Sequence, residues 1–249
     1  MPWYDVLRLT LGIAVLVGAA MVLLRLHRVP LGRAPVIAVL RATIQLAAIA
    51  VLLSGVTQWP LLALAFVTLM LSTASWTAAR RAAALSGGRR DAVFAVTVGS
   101  VVASGAVLLL GLVPWRAQQV IAVVGIVTGN AMSTVTLLAR RLASDLLAHQ
   151  AEVEGWLALG APFSRATARL RRTGVREALI PNLDQTRNTG LVTLPGAFIG
   201  SLFGGASPVE AASFQLTVLA ALLLGGAASA TVFSTLAGRA TRLPRAEKT

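Results

Sequence analysis

The feature that most constrains this chain is a series of apolar runs, each close to the length of a helix that crosses a bilayer. A hydrocarbon core takes about 20 apolar residues in helical form. Seven such runs occur, at 6–24, 34–54, 60–79, 92–113, 117–139, 189–205 and 211–237. The breaks between them hold Arg, Gly, Pro or other polar residues. Only 12% of the chain is charged and 56% is hydrophobic, whereas a soluble domain carries about 25% charged residues. The expectation is an all-α integral membrane protein of about seven transmembrane helices, forming one transmembrane domain over 1–249. The first run lacks a basic start and ends in Arg25-Leu26-His27-Arg28, so it reads as a retained helix rather than a cleaved leader. The sixth is the shortest and is rich in Gly.

Orientation follows from the cations. Positive loops stay on the cytoplasmic side. With the N-terminus outside, the inner segments hold Arg25, Arg28 and Arg33, then Arg80, Arg81, Arg89 and Arg90, then eight Arg over 140–187, and finally Arg239, Arg242, Arg245 and Lys248. The outer segments hold only Arg116, while Arg8 and Arg41 fall inside predicted spans. This predicts an external N-terminus and a cytoplasmic C-terminus. The net charge of +13 then reports topology. Nucleic acid is not an expected partner, since no aromatic residues interleave with the basic runs as a stacking platform requires.

Several chemistries are excluded. There is no Cys, which removes disulfides, thiolate metal sites and cysteine nucleophiles. Lys248 is the only Lys, so a P-loop with its Lys cannot be built and ATP hydrolysis has no site here. No Ser–His or paired-Asp arrangement falls in the spans, and no His pair has metal-ligand spacing. The nine acidic residues all read as loop, tail or span-edge positions, Asp184 among them, and His27 and His149 are in loops. A proton-driven carrier, which buries such groups along its path, is therefore disfavoured.

The polar residues left in the spans are candidates for a pathway. Arg41 and Gln45 share a face of the second span; Arg41 either snorkels to headgroups or meets an anionic substrate. Gln118, Gly125, Gly129 and Met132 fall on one stripe of the fifth span with Asn130 beside it. Gly125 and Gly129 also form a GxxxG pair suited to close helix packing. On the sixth span Gly196, Gly200 and Gly204 follow Pro195 at intervals of four, a flat ridge fit for packing or gating. No metal site is assigned.

The long polar stretch 140–188 reads as a cytoplasmic helical segment. One piece, 140–156, extends the fifth span. Gly160, Pro162 and Ser164 mark a break, with Ser164 as a cap for a second piece over 165–180. There Ala166, Leu170 and Val175 alternate with Arg, as in an amphipathic helix lying at lipid headgroups.

Within it, Glu154-Gly155-Trp156-Leu157-Ala158-Leu159-Gly160-Ala161 resembles the EAA-type loop of ATP-binding cassette (ABC) permeases, where a Glu precedes a Gly by six residues. Gly129-Asn130-Ala131-Met132, Leu159-Gly160-Ala161, Ala178-Leu179-Ile180-Pro181 and the run from Gly190 to Gly196, in that order, resemble the FetB-type (YbbM-like) permease family. It comprises bacterial iron-export ABC permeases and plant aluminium-tolerance permeases. The resemblance covers nearly the whole chain, from about Arg41 to Leu236.

What the resemblance implies is a permease subunit in a bacterial plasma membrane, without an ATPase site of its own. ATP and Mg would sit on a separate P-loop ATPase, and two permeases would assemble with two ATPases. Glu154, Trp156, Leu157, Leu159, Gly160 and Ala161 would form the knob that docks on the ATPase. The substrate implied is iron or another metal, with a nucleotide sugar such as UDP-glucose as the alternative; an ATP-independent carrier is the reading outside this class. Bacterial relatives often carry Met just after the Leu-Pro-Gly of the sixth span, where this chain has Ala197 and Phe198. Soft metal ligands are correspondingly scarce.

Overall fold

A computed structural model describes residues 3–56, 60–240 and 243–244. Arg242, Arg245, Glu247 and Lys248, assigned above to the cytoplasmic tail, lie outside the described residues, as does most of the turn at 55–59. The described residues are helical with one isolated bridge, Thr189 with Thr193. They divide into two units, Met1–Gln58 and Trp59–Thr249.

The first unit holds α1 (Trp3–Leu26) and α2 (Ala34–Val56), which pack on each other. The second holds α3 (Pro60–Arg81), α4 (Gly88–Leu109), α5 (Ala117–Ala148), α6 (Gln150–Ala158), α7 (Phe163–Ala166), α8 (Ala168–Asn188), α9 (Gly196–Phe203) and α10 (Pro208–Ala237). By length and apolarity five helices can cross a membrane: α1, α3, α4, α5 and α10. The apolar part described in α2, Ala34–Ala50, is shorter.

In the second unit α3, α4, α5 and α10 pack on one another, and α8 lies against α5 and α10. Lipid tails are as apolar as leucine, so burying Leu or Val between spans gains little. Close backbone approach does the work instead. A Cβ on Gly99 of α4 would come within 2.7 Å of the Gly225 carbonyl and 2.6 Å of the Ser229 Cβ on α10. Below the membrane level the usual hydrophobic drive returns. There Leu142, Leu146, Val153 and Leu170 are buried together.

The helix ends are set locally. Ser207 caps α10 in a capping box with Glu210, and Pro208 follows at the first helical position. The α3–α4 turn needs glycine twice: Gly87 has φ +75°, and a Cβ on Gly88 would strike the Ala82 carbonyl.

The largest departure from the sequence reading concerns 165–205. The second cytoplasmic piece does not stop at Ile180 but runs to Asn188, and it does not lie flat on headgroups. Leu170, Gly174, Ala178 and Asn182, one stripe of α8, are buried in the bundle. A Cβ on Gly174 would meet Leu138 of α5, and Asn182 reaches Leu222 of α10. As α8 numbers rise, α5 and α10 numbers fall, so α8 climbs antiparallel to both. Thr167, not Ser164, begins this helix. The expected span 189–205 shrinks to α9, eight residues long, about 12 Å, which cannot cross a bilayer alone. The Gly there follows need: Gly190, with φ +89°, turns the chain back.

Candidate coupling tip and translocation face

At the Arg-rich end, α5 runs past Arg140 and Arg141 and stops at His149, whose N–H bonds to the Asp145 carbonyl. The next helix, α6, ends in a Schellman turn. Gly160 sits at φ +83°; its N–H donates to the Leu157 carbonyl at 2.9 Å, and that of Ala161 to the Trp156 carbonyl at 3.0 Å. Both free carbonyls are thereby satisfied, and only Gly takes this conformation without strain. The turn presents an apolar tip: Leu159 is 84% exposed, with Trp156 and Leu157 exposed beside it. Glu154 is exposed and accepts a bond from Gln150 Nε2 at 2.7 Å. Of the six residues expected to form the knob, Trp156, Leu157, Leu159, Gly160 and Ala161 fall on this turn, and Glu154 lies just before it on α6.

The tip is braced from behind. Val153 is fully buried among Leu142, Leu146 and Leu170 of the core at this end. Arg169 of α8 holds Glu152 of α6 at 2.6 Å, and this contact keeps the Glu152 carboxyl below its usual range, the hydrogen bond being the larger cause. Arg141 of α5 pairs with both Asp145 and Glu177 at 3.0 Å.

Arg171 ties this segment to the membrane bundle, a role that nothing in the sequence sets apart among so many Arg. Its guanidinium donates to the Ser234 carbonyl of α10 at 2.8 Å, the Ser164 carbonyl at 2.7 Å and Thr167 Oγ1 at 3.2 Å. Gly238, just past α10, leaves room for it, since a Cβ there would be 2.8 Å from the guanidinium carbon. This Arg stays a cation. A rigid fork satisfying carbonyls on two elements is a role Lys cannot fill.

Deeper in, Asn130 of α5 and Asn182 of α8 both donate to the Leu222 carbonyl of α10, at 3.0 and 3.3 Å. Gly226 leaves the space for both amides. Asn130 thus sits at a three-helix junction. Met132 is partly buried against the inner core. Gly125 accommodates Met70 of α3, whereas Gly129 has open space beside it.

At the other end, a cleft of about 920 Å³ opens between the start of α5, α9 and the start of α10. Arg116, Gln118, Gln119, Gly200, Gly204 and Glu210 are among its walls, and Gln119 Oε1 is buried without a partner. This brings Gln118 together with two residues of the glycine ridge. Nothing approaches the Cβ positions of Gly196 and Gly200. Pro195 is the N-cap of α9. Arg41 and Gln45 are exposed on α2, in the first unit. Among the described residues no three His, Cys, Asp or Glu gather as a metal site.

The profile of UPF0014, described as an uncharacterised protein family, matches residues 7–241. The "UPF0014 membrane protein STAR2" of Oryza sativa subsp. japonica is 35% identical over 203 residues, 80% of this chain and 70% of that protein. The "Probable iron export permease protein FetB" of Escherichia coli (strain K12) is 34% identical over 162 residues, 65% of this chain and 62% of that protein. "Protein ALUMINUM SENSITIVE 3" of Arabidopsis thaliana is 33% identical over 177 residues, 71% of this chain and 63% of that protein. No solved structure matches.

Proposed function

The chain belongs to the UPF0014 family, and from that premise we propose that it is the permease subunit of an ABC exporter that moves iron or another metal ion out across a bacterial plasma membrane. ATP and Mg belong to a partner ATPase, and two permeases work with two ATPases, each chain acting as one permease domain. The observation that carries this reading is the tip. An apolar turn, Trp156 to Leu159, stands exposed at the Arg-rich end on a brace of buried and ion-paired residues. In a membrane protein such a turn is costly in water unless a partner groove covers it. That a relative bears the name of an iron export permease supports the direction and substrate.

Mechanically, a push on the tip travels through α6 and the Glu152–Arg169 pair to α8. Arg171 then passes it to the inner end of α10, and the Asn130–Asn182 junction to the middle of α5 and α10. A segment locked at three levels to the spans moves them when it moves.

The test is a mild-detergent pull-down of the tagged chain from its own membranes. A stoichiometric P-loop ATPase is expected with the wild type and lost with Leu159→Asp, which changes an exposed side chain and leaves the turn intact. Gly160→Trp, strained at φ +83°, should uncouple ATP hydrolysis from transport. A chain that emerges alone, where other ABC complexes survive, would favour a gradient-driven carrier.

A further inference from the structure

α8, the break at 189–195 and α9 together make one discontinuous span, and its middle is polar. Two registers fix the depth. Gly174 of α8 stands beside Leu138 of α5, and Asn182 stands beside Asn130, joined through the Leu222 carbonyl. Leu222 is at the middle of α10. Asn182 is therefore near the bilayer midplane, and Asp184 to Asn188 continue about 3–9 Å beyond it. This revises the sequence reading in which every carboxylate lies in a loop, a tail or at a span edge, and in which Arg187 belongs to the cytoplasmic loop. Arg187 is ten residues beyond the Arg141–Glu177 pair, about 15 Å further up the helix.

Asp184, Gln185, Arg187 and Asn188 are all exposed, and none of the ion pairs among the described residues involves Asp184 or Arg187. The main chain breaks just beyond them. The Val192 and Thr193 N–H groups turn back to the Asn188 carbonyl at 3.0 and 3.2 Å. Among the described residues the N–H groups of Leu191 and Leu194 bond to no other main-chain group. Irregular backbone at membrane depth persists only where protein buries it or where it lines a water-filled cavity. Ionised groups there likewise face water or a partner, not lipid tails.

We propose that Asp184, Gln185, Arg187 and Asn188, with the main chain of the 189–195 break, line a water-filled site at mid-membrane for a small, hydrophilic, charged solute. Deepening the transport reading, this gives the solute a place to bind; it rests on that reading only for what passes through. Discontinuous spans present main-chain dipoles and polar side chains to a solute at this depth. A carboxylate, a guanidinium and two amides within two turns suit a charged solute and repel an acyl chain. These four residues lie on the face of α8 opposite the one that α5 and α10 fill.

The chain has no Cys, which makes the test direct. Single variants Asp184→Cys, Gln185→Cys, Arg187→Cys and Asn188→Cys are exposed, in vesicles of native lipid, to a charged, membrane-impermeant methanethiosulfonate. Leu16→Cys on α1 and Val101→Cys on α4, both exposed on apolar spans, serve as lipid-facing references. A thiol reacts as its hydrated thiolate, so labelling at least about tenfold faster than at the references is expected. Labelling no faster than the references overturns the aqueous site. If Asp184→Cys fails to assemble, the neutral positions 185 and 188 carry the same test. The labelling needs no ATPase, so its outcome stands apart from that of the pull-down.

Discussion

α10 and the α8–α9 pair cross the same thickness by opposite means. α10 is one helix of 30 residues. A capping box starts it, and Gly225, Gly226 and Ser229 let α4 and α8 approach its backbone. α8 enters the bundle carrying five Arg and ends near the midplane, where a turn hands over to the short α9. α10 is held by backbone fit; α8 is held by side-chain bonds, from Arg171, Asn182 and Glu177. The lesson is that a rigid wall and a movable one need different glue. Backbone fit has no second arrangement of similar energy, whereas a few bonds to carbonyls can break and form again.

The largest effect should come from the α4–α10 seam. Gly99→Leu forces side-chain atoms against the Gly225 carbonyl and Ser229 backbone, neither of which can move aside. A loss of about 3 kcal/mol or failure to assemble is expected, read as thermal unfolding in detergent. Gly200→Ala, where nothing lies nearby, should leave the melting point unchanged. Equal loss at both sites would show that α9 is as tightly seated as α10.

Arg171→Met comes next. It leaves the Ser234 and Ser164 carbonyls without this donor, a cost of about 2 kcal/mol for a partly buried charged bond. The more telling readout is coupling: ATPase turnover should persist while transport falls, and Arg171→Lys should recover stability better than coupling. If transport and ATPase activity fall together in proportion to folded protein, Arg171 is a structural clamp and does not transmit motion.

How much of this was legible follows from the same contrast. α1, α3, α4, α5 and α10 announce themselves by hydropathy, because a lipid-facing helix must be apolar along its length. The tip was legible from Glu154, Gly160 and the apolar residues between them, since a Schellman turn has a local signature. α8 was not, because a helix that faces protein and water at membrane depth need not be apolar. Its signal was Leu170, Gly174, Ala178 and Asn182 at intervals of four, a seam, hidden beneath Arg residues that imitate a headgroup-bound helix. Arg171 was invisible for a simpler reason: its shortest bonds go to carbonyls, which carry no side-chain code.

Smaller effects sharpen the account of the junction. Asn182→Ala and Asn130→Ala each remove one donor to the Leu222 carbonyl, for about 1 kcal/mol apiece. Because each still serves the acceptor when the other is gone, the double variant should cost more than the sum. Strict additivity in unfolding measurements would mean that α8 and α5 reach α10 independently.

The smallest effect concerns the same kind of bond placed in water. The Glu152–Arg169 pair is short but exposed on both sides, so solvent screens it and its weight in stability is slight. Its sign is nevertheless clear. The Arg169 hydrogen bond depresses the pKa of Glu152, so the contact is present above the ordinary carboxylate range and is lost as pH falls through the depressed value. Spin labels on Ala151→Cys and Thr173→Cys would follow it, there being no native Cys. The distance between α6 and α8 should be narrow at neutral pH and broaden only once the pH has fallen below the ordinary carboxylate range. In Glu152→Gln it should be broad throughout. If the distance stays narrow at every pH in both chains, buried Val153 alone fixes the tip. The brace would then belong with α10 among the parts held by fit, leaving Arg171, Glu177 and the asparagine pair as the bonds that can switch.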